Sequence, residues 1–241
     1  MIRQRVIIVG GTTGIGRAMA ALYLQKGHAV GVSGRTESAL QALKEQYSNQ
    51  LVATRCFDVN SNDRRQQLQS LIDSLGGMDV FIYCAGIGMA SHDLNEENEL
   101  NTFATNTTAF HDLTVFAFNY FLKQQQQGHI VGISSIASNR GLHAAPAYNA
   151  SKAFMSNYLE GLWFKAKKMK APISVTDIQP GFVATKMAQG NLFWVVPVAK
   201  AAKQIKAAID NKKKKAYISK RWRLIAWIMR IAPSSLISKT V

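Results

Sequence analysis

The sequence predicts an α/β protein: one doubly wound parallel sheet of about seven strands with helices on both faces. Three observations predict it. Short apolar, β-branched runs alternate with longer amphipathic segments along the chain. The short runs are nearly continuous in apolar character, as strands buried on both faces are. The first of them ends in a glycine-rich turn that opens directly into a helical pattern.

The expected strands are Val6–Val9, Ala29–Ser33, Leu51–Phe57, Val80–Tyr83, Ile130–Ser134, Ser174–Ile178 and Ala216–Ser219. Helical spacing runs over Ile15–Lys26, Glu37–Tyr47, Asn62–Ser74, Glu97–Lys123 and Ala147–Lys168. A further helix starts at Pro197, with proline in its first turn, and ends near Ile209. A last helix is expected from about Arg221 to Ile231. Strands alternating with helices imply right-handed crossovers. There is no internal repeat, and the short runs Gln124–Gln127 and Lys212–Lys215 read as exposed connections. One domain accounts for residues 1–220, followed by a basic amphipathic tail over 221–241.

Composition excludes several classes. At 47% apolar and 18% charged, the chain can build a large core and is not a disordered polymer. The net charge is +15, but residues 200–241 hold nine Lys and three Arg against one acid, Asp210, which is +11 of it. The basic surface is therefore local, and a nucleic-acid-binding role is not expected. Cys56 and Cys84 lack CxxC spacing and read as buried reduced thiols. The five histidines show no metal-ligand spacing, so no metal is expected. The N-terminus carries only a four-residue apolar run before its glycines, shorter than a secretory signal, which leads to the expectation of a cytoplasmic, reducing location.

The turn after the first strand reads Val9-Gly10-Gly11-Thr12-Thr13-Gly14-Ile15-Gly16. Glycine lets the chain reverse tightly, the missing side chains admit a pyrophosphate to the backbone, and the helix N-terminus offers unpaired N–H groups. A ligand-free glycine turn is the plain alternative; the strand–turn–helix setting favours a dinucleotide. Farther along, a strand ends in Ser134-Ser135, and Tyr148 follows thirteen residues beyond Ser135. Tyr148 and Lys152 are four apart and share a helix face.

With G-x-x-x-G-x-G, Y-x-x-x-K and the upstream serine agreeing in order and spacing, the chain closely resembles the short-chain dehydrogenase/reductase family over residues 4–220. The resemblance implies a Rossmann-like fold, a nicotinamide cofactor and a homodimer or homotetramer. It implies a catalytic tetrad of Asn106, Ser135, Tyr148 and Lys152, with Tyr148 as the acid. Lys152 would lower the phenol's pKa and bind the nicotinamide ribose, and Asn106 would hold a water linking Lys152 to solvent. The cofactor residues it implies are the Gly10, Thr12, Thr13, Gly14, Ile15 and Gly16 turn, and Asp58-Val59 near the adenine. Ala85-Gly86 would lie beside the adenosine ribose, and Pro180, Gly181, Val183 and Thr185 at the nicotinamide. Where the family usually has N-N-A-G, this chain has Tyr83-Cys84-Ala85-Gly86, which questions local hydrogen bonding more than catalysis.

An acid at the end of the second strand would bind the ribose 2′-OH of NAD. That position is Gly34, and Ser33, Arg35 and Thr36 around it suit a 2′-phosphate. The expectation is NADP(H) and, because cellular NADP is largely reduced, reduction of a ketone or aldehyde. A catalytically weak NADP(H)-sensing protein of the same fold is the alternative.

Substrate-pocket candidates are His143, Met187, Leu192, Phe193 and Trp194. Two readings of Phe193-Trp194-Val195-Val196 are open, pocket lining and lid packing. The tail Lys220–Ile231 is cationic, Trp-bearing and too short to span a bilayer. It reads equally as a peripheral membrane contact or as packing against a second subunit. A membrane-facing tail would fit a lipid-like 3-oxo substrate.

Overall fold

A computed structural model describes residues 3–88, 93–188 and 193–237. Seven parallel strands form one sheet in the order β3-β2-β1-β4-β5-β6-β7: β1 (Arg5–Val9), β2 (Ala29–Gly34), β3 (Val52–Cys56), β4 (Val80–Tyr83), β5 (Gly128–Ile133), β6 (Ile173–Pro180) and β7 (Lys215–Ile218). Side chains alternate across a strand, so Val6 and Ile8 enter one core while Ile7 and Val9 enter the other. Helices α1 (Gly14–Gln25), α2 (Glu37–Gln46) and α7 (Val198–Asp210) cover the first face through Met19, Leu40 and Ile205. Helices α3 (Arg64–Ser74), α5 (Phe110–Gln124) and α6 (Pro146–Lys168) cover the second through Leu71, Leu113 and Leu159.

β1 lies between β2 and β4. The chain turns in opposite directions from that point, which opens a crevice beyond the carboxyl ends of the strands.

The structure corrects two expectations. The single helix expected over Glu97–Lys123 is three pieces: α4 (Glu96–Phe103), a π-helical segment (Ala104–Ala109) and α5. The segment Ala-Thr-Asn-Thr-Thr-Ala supplies the cause, since Thr and Asn side chains compete for backbone groups. The Thr107 hydroxyl donates to the Phe103 carbonyl (2.5 Å), and the buried Tyr83 hydroxyl donates to the Thr105 carbonyl (2.7 Å). That second bond ties the end of β4 to the π segment, where the missing asparagines had raised a question. The other correction concerns a thiol: Cys56 is exposed, whereas Cys84 packs partly buried against the core. Cys56 ends β3, the edge strand, whose last two residues are exposed.

The C-terminal helix α8 (Trp222–Ile231) follows β7 directly, and a short α9 (Ser234–Ile237) follows it. Trp222 is 1% exposed and Ala226 is fully buried, so one face of α8 is part of the core.

One buried group makes folding sensitive to acid. His129 on β5 lies within 2.8 Å of the Thr176 hydroxyl, which itself donates to the Lys213 carbonyl (2.6 Å). Thr176 has a single hydroxyl hydrogen, so His129 Nε2 must carry the proton and donate. Burial, helped by Lys212, pushes the imidazole down to about 4 from 6.5. Between those values the unfolded chain binds a proton that the folded one refuses, so stability falls as pH drops from 6.5 towards 4. The loss attributable to His129 is about 3 kcal/mol. Urea unfolding at several pH values should show a shallower acid limb in His129→Gln than in the native chain.

Candidate active site

The glycine turn is shaped by close backbone approaches. Gly10 has φ +82°, and its N–H and that of Gly11 both donate to the Ser33 carbonyl, at 3.1 and 2.9 Å. A Cβ on Gly10 would stand 2.5 Å from the Ala85 nitrogen, and one on Gly16 would stand 2.2 Å from the Gly10 carbonyl. Both positions therefore require glycine. Gly14, at φ +51°, faces the Thr185 side chain, where an added Cβ would meet a methyl at 3.1 Å. The turn and the Pro180–Thr185 segment are thus brought to one cleft. Helix α1 begins after Thr13 with no side-chain cap and no acid in its first turn, and Ile15 packs on the core beneath. Its leading N–H groups remain for an anion. The cleft fits the pyrophosphate of a dinucleotide.

At the end of β2 the Ser33 side chain is buried, and its hydroxyl has no partner among the described residues. A Cβ on Gly34 would lie 2.5 Å from the Thr12 Cγ2 and 2.8 Å from its Oγ1. No acid can stand at position 34 unless Thr12 moves. Arg35 is exposed, with its guanidinium 3.9 Å from the Asp58 carboxylate. Thr36 precedes α2 without capping it. Asp58 accepts from the Asn60 N–H (2.9 Å), and Val59 is buried.

Asn106, Ser135, Tyr148 and Lys152 converge where β4 and β5 end. A Cβ on Gly86 would lie 3.3 Å from both the Asn106 Oδ1 and the Lys152 Nζ. Lys152 Nζ stands 5.7 Å from the Tyr148 ring centroid, and the Tyr148 ring covers the Gly88 backbone. The Ser135 hydroxyl accepts from the Ala137 N–H (3.1 Å), which leaves its own hydrogen to donate.

One part of the expected chemistry is corrected. The Tyr148 phenol is not lowered in the chain alone: burial raises its pKa, and the Ser135 hydrogen bond opposes that only in part. The reason is the placement of Lys152, which donates to the Ile133 carbonyl (3.1 Å) and meets the Met155 sulfur (3.4 Å) instead of the phenol oxygen. Burial also pushes this lysine down to about 8, against the pull of Cys84 and Asp177. The Asn106 side-chain amide donates to the Ile87 carbonyl (2.7 Å) and the Ser151 hydroxyl (3.0 Å) and accepts from the Ile87 N–H (3.0 Å). One N–H and the carbonyl oxygen clamp Ile87, and the other N–H ties the π segment to α6 through Ser151. Cys84, which has no partner nearby in sequence, feels the Lys152 charge in space, but burial dominates and pushes the thiol up to about 11.

Asp177 is a buried acid that motif reading passed over. Its carboxylate accepts from Ser134, from Ser156 (2.7 Å) and from Gln179 (2.8 Å), with Lys215 at 3.7 Å. Ser134 adjoins Ser135, and Ser156 lies one turn beyond Lys152. The carboxylate therefore joins β5 to α6, the two elements that carry the reacting groups. The available signal was an acid in the middle of a predicted buried strand, between Thr176 and Ile178.

Beyond β6, the Gly181 N–H donates to the Ile218 carbonyl (2.8 Å), and the Trp222 indole lies where a Gly181 Cβ would be, 2.1 Å from that position. Val183 is buried and bridges to Val196. Phe182, Phe193 and Trp194 pack on Trp222, with ring centroids at 5.3, 5.2 and 5.7 Å. Phe193 and Trp194 are thus joined through Trp222 to α8. His143 and Met187 are exposed, and Leu192 lies outside the described residues.

Comparison with known proteins agrees with this geometry. The model of the short chain dehydrogenase family matches residues 4–194. An uncharacterized oxidoreductase of Myxococcus xanthus is 31% identical over 198 residues, covering 80% of this chain and 77% of its own. A short-chain dehydrogenase/reductase from Burkholderia phymatum, solved with NAD, superposes with a TM-score of 0.86 at 16% identity, covering 94% of this chain and 92% of its own. ElxO, solved with NADP, superposes at 0.77 with 19% identity, covering 90% and 96%.

Proposed function

The chain belongs to the short-chain dehydrogenase/reductase family, and on that premise we propose that it is an NADP(H)-dependent reductase of ketone or aldehyde carbonyls, with lipid-like 3-oxo compounds as the favoured class. The observation that carries the reading is the convergence of Ser135, Tyr148 and Lys152 beside a glycine-lined cleft that admits no side chains. The nicotinamide, when bound, supplies the hydride. Tyr148 gives its phenolic proton to the carbonyl oxygen, and Ser135 donates to the same oxygen as charge builds there. Lys152 places a positive charge beside the phenolate that Tyr148 becomes. Asn106 keeps the Gly86–Ile87 turn against the lysine.

Preference for the 2′-phosphate rests on Arg35 and Gly34. The guanidinium is exposed and faces a carboxylate at a distance too long for a hydrogen bond, so a phosphate is the better partner. Position 34 carries no acid, and the Thr12 side chain occupies the space a side chain there would need. The KM for NADPH is expected to be at least about tenfold below that for NADH, and Arg35→Ala should erase that ratio with kcat little changed. Equal KM values in the native enzyme would reject the NADP preference. A carbonyl panel from short aldehydes to long-chain lipid ketones tests the reductase itself, and NADPH binding without any turnover would reject it.

A further inference from the structure

The outer face of α8 is built the wrong way round for a helix that ends a fold. Trp222 and Ala226 turn inward, while Leu224 (57% exposed), Trp227 (57%), Ile228 (42%) and Ile231 (59%) form one stripe facing outward. Their spacing of three, four and seven residues puts them on a single side of the helix. Phe193, Trp194 and Val195 extend the exposed apolar surface, joined to α8 through the ring contacts with Trp222. Single exposed apolar residues are ordinary, but a contiguous patch marks a contact surface.

The surroundings of the patch say what it contacts. A groove of about 1530 Å³ is lined by Trp194, Leu224 and Trp227 together with seven cations, among them Lys200, Lys220, Arg221 and Arg223, and no Asp or Glu lines it. Those four cations have no ion pair among the described residues. Arg221 lies over the Trp194 ring, 5.0 Å from its centroid, and so places its charge at the rim of the apolar surface. A second copy of the chain paired along the edge strand β7 would set cation against cation. A nucleic acid would match the charge but has no use for four aliphatic and indole side chains in a row.

We propose that this face docks on an anionic lipid bilayer. Trp227, Leu224, Ile228 and Ile231 would enter the headgroup–acyl boundary, while Lys200, Lys220, Arg221 and Arg223 would meet lipid phosphates. The helix lies in the interface and does not cross it; among the described residues no helix is long and apolar enough to do so. The patch borders the segment after β6 through Phe193 and Trp194.

Deleting the tail would not test this, because it would also remove Trp222 from the core. The test is co-sedimentation of the full chain with vesicles of phosphatidylglycerol and phosphatidylcholine, and with phosphatidylcholine alone. The native chain is expected to partition onto the anionic vesicles at least about tenfold better than onto the neutral ones. Leu224→Ser with Trp227→Ser, both exposed, should weaken that binding at least about tenfold. Lys220→Gln with Arg223→Gln should weaken it and reduce its salt dependence. NADPH binding by both variants serves as the folding control and separates this proposal from the reductase reading. Absence of binding to anionic vesicles, or equal binding by the native chain and both variants, overturns it. So does a change of oligomeric state in the serine variant without vesicle binding, which would give the face to a second copy. Binding to duplex DNA in preference to vesicles would overturn it likewise.

Discussion

Tyr148→Phe is expected to lower kcat by roughly 10³-fold while NADPH binding is retained. The substitution removes one hydroxyl and leaves the ring, which covers Gly88 in a contact that depends on carbon atoms alone. The glycine turn, α1 and Arg35, proposed to hold most of the cofactor, are left intact by the substitution. The two readouts should therefore separate: turnover at saturating NADPH collapses, and a fluorescence titration of NADPH stays within a few-fold of native. Burial raises the phenol's pKa, so native Tyr148 is protonated at neutral pH and ready to act as an acid. Turnover of the variant at the native rate would remove Tyr148 from the reaction.

Trp222→Ala should cost about 3–5 kcal/mol, since it empties a fully buried indole site. For a chain of this size that lowers Tm by roughly 10 °C. The site also loses its brace, because the indole fills the space above Gly181 and supports Phe182, Phe193 and Trp194. Gly181→Ala attacks the same contact from the other side, as its Cβ would stand 2.1 Å from the indole. In the native background that change should destabilise; in the Trp222→Ala background it should be nearly neutral, because the obstructing ring is gone. A double-mutant cycle measured by thermal unfolding reads this coupling directly. Additive effects would mean that α8 does not bear on the segment beyond β6.

Most of the sheet was legible because parallel strands buried on both faces leave continuous apolar runs. Val80–Tyr83 was predicted to the residue, and the other strands to within two. The π segment was not legible: amphipathic spacing passes smoothly through Thr105, Asn106 and Thr107, and the break comes from side-chain hydrogen bonds, including the one from Tyr83 at the end of β4. Cys56 was misjudged because an apolar run does not say whether its strand is central or at the edge. Among the site residues, Ser135, Tyr148 and Lys152 carry their chemistry in their types and spacing. Asp177 and Trp222 do not, since their partners lie on other elements of the fold.

By itself the sequence determined the alternation of strands and helices, the glycine positions at which a dinucleotide can approach, and the order of the reacting side chains. These are local matters, set by side-chain period, backbone freedom and helix spacing. Tertiary structure alone decided how the groups stand to one another. It turned Lys152 to the Ile133 carbonyl, filled both donors of Asn106, put Thr12 against Gly34, and rooted the basic tail in the core through Trp222. Each of these depends on contacts between residues distant along the chain, which the packing of helices on the sheet creates and no local pattern encodes.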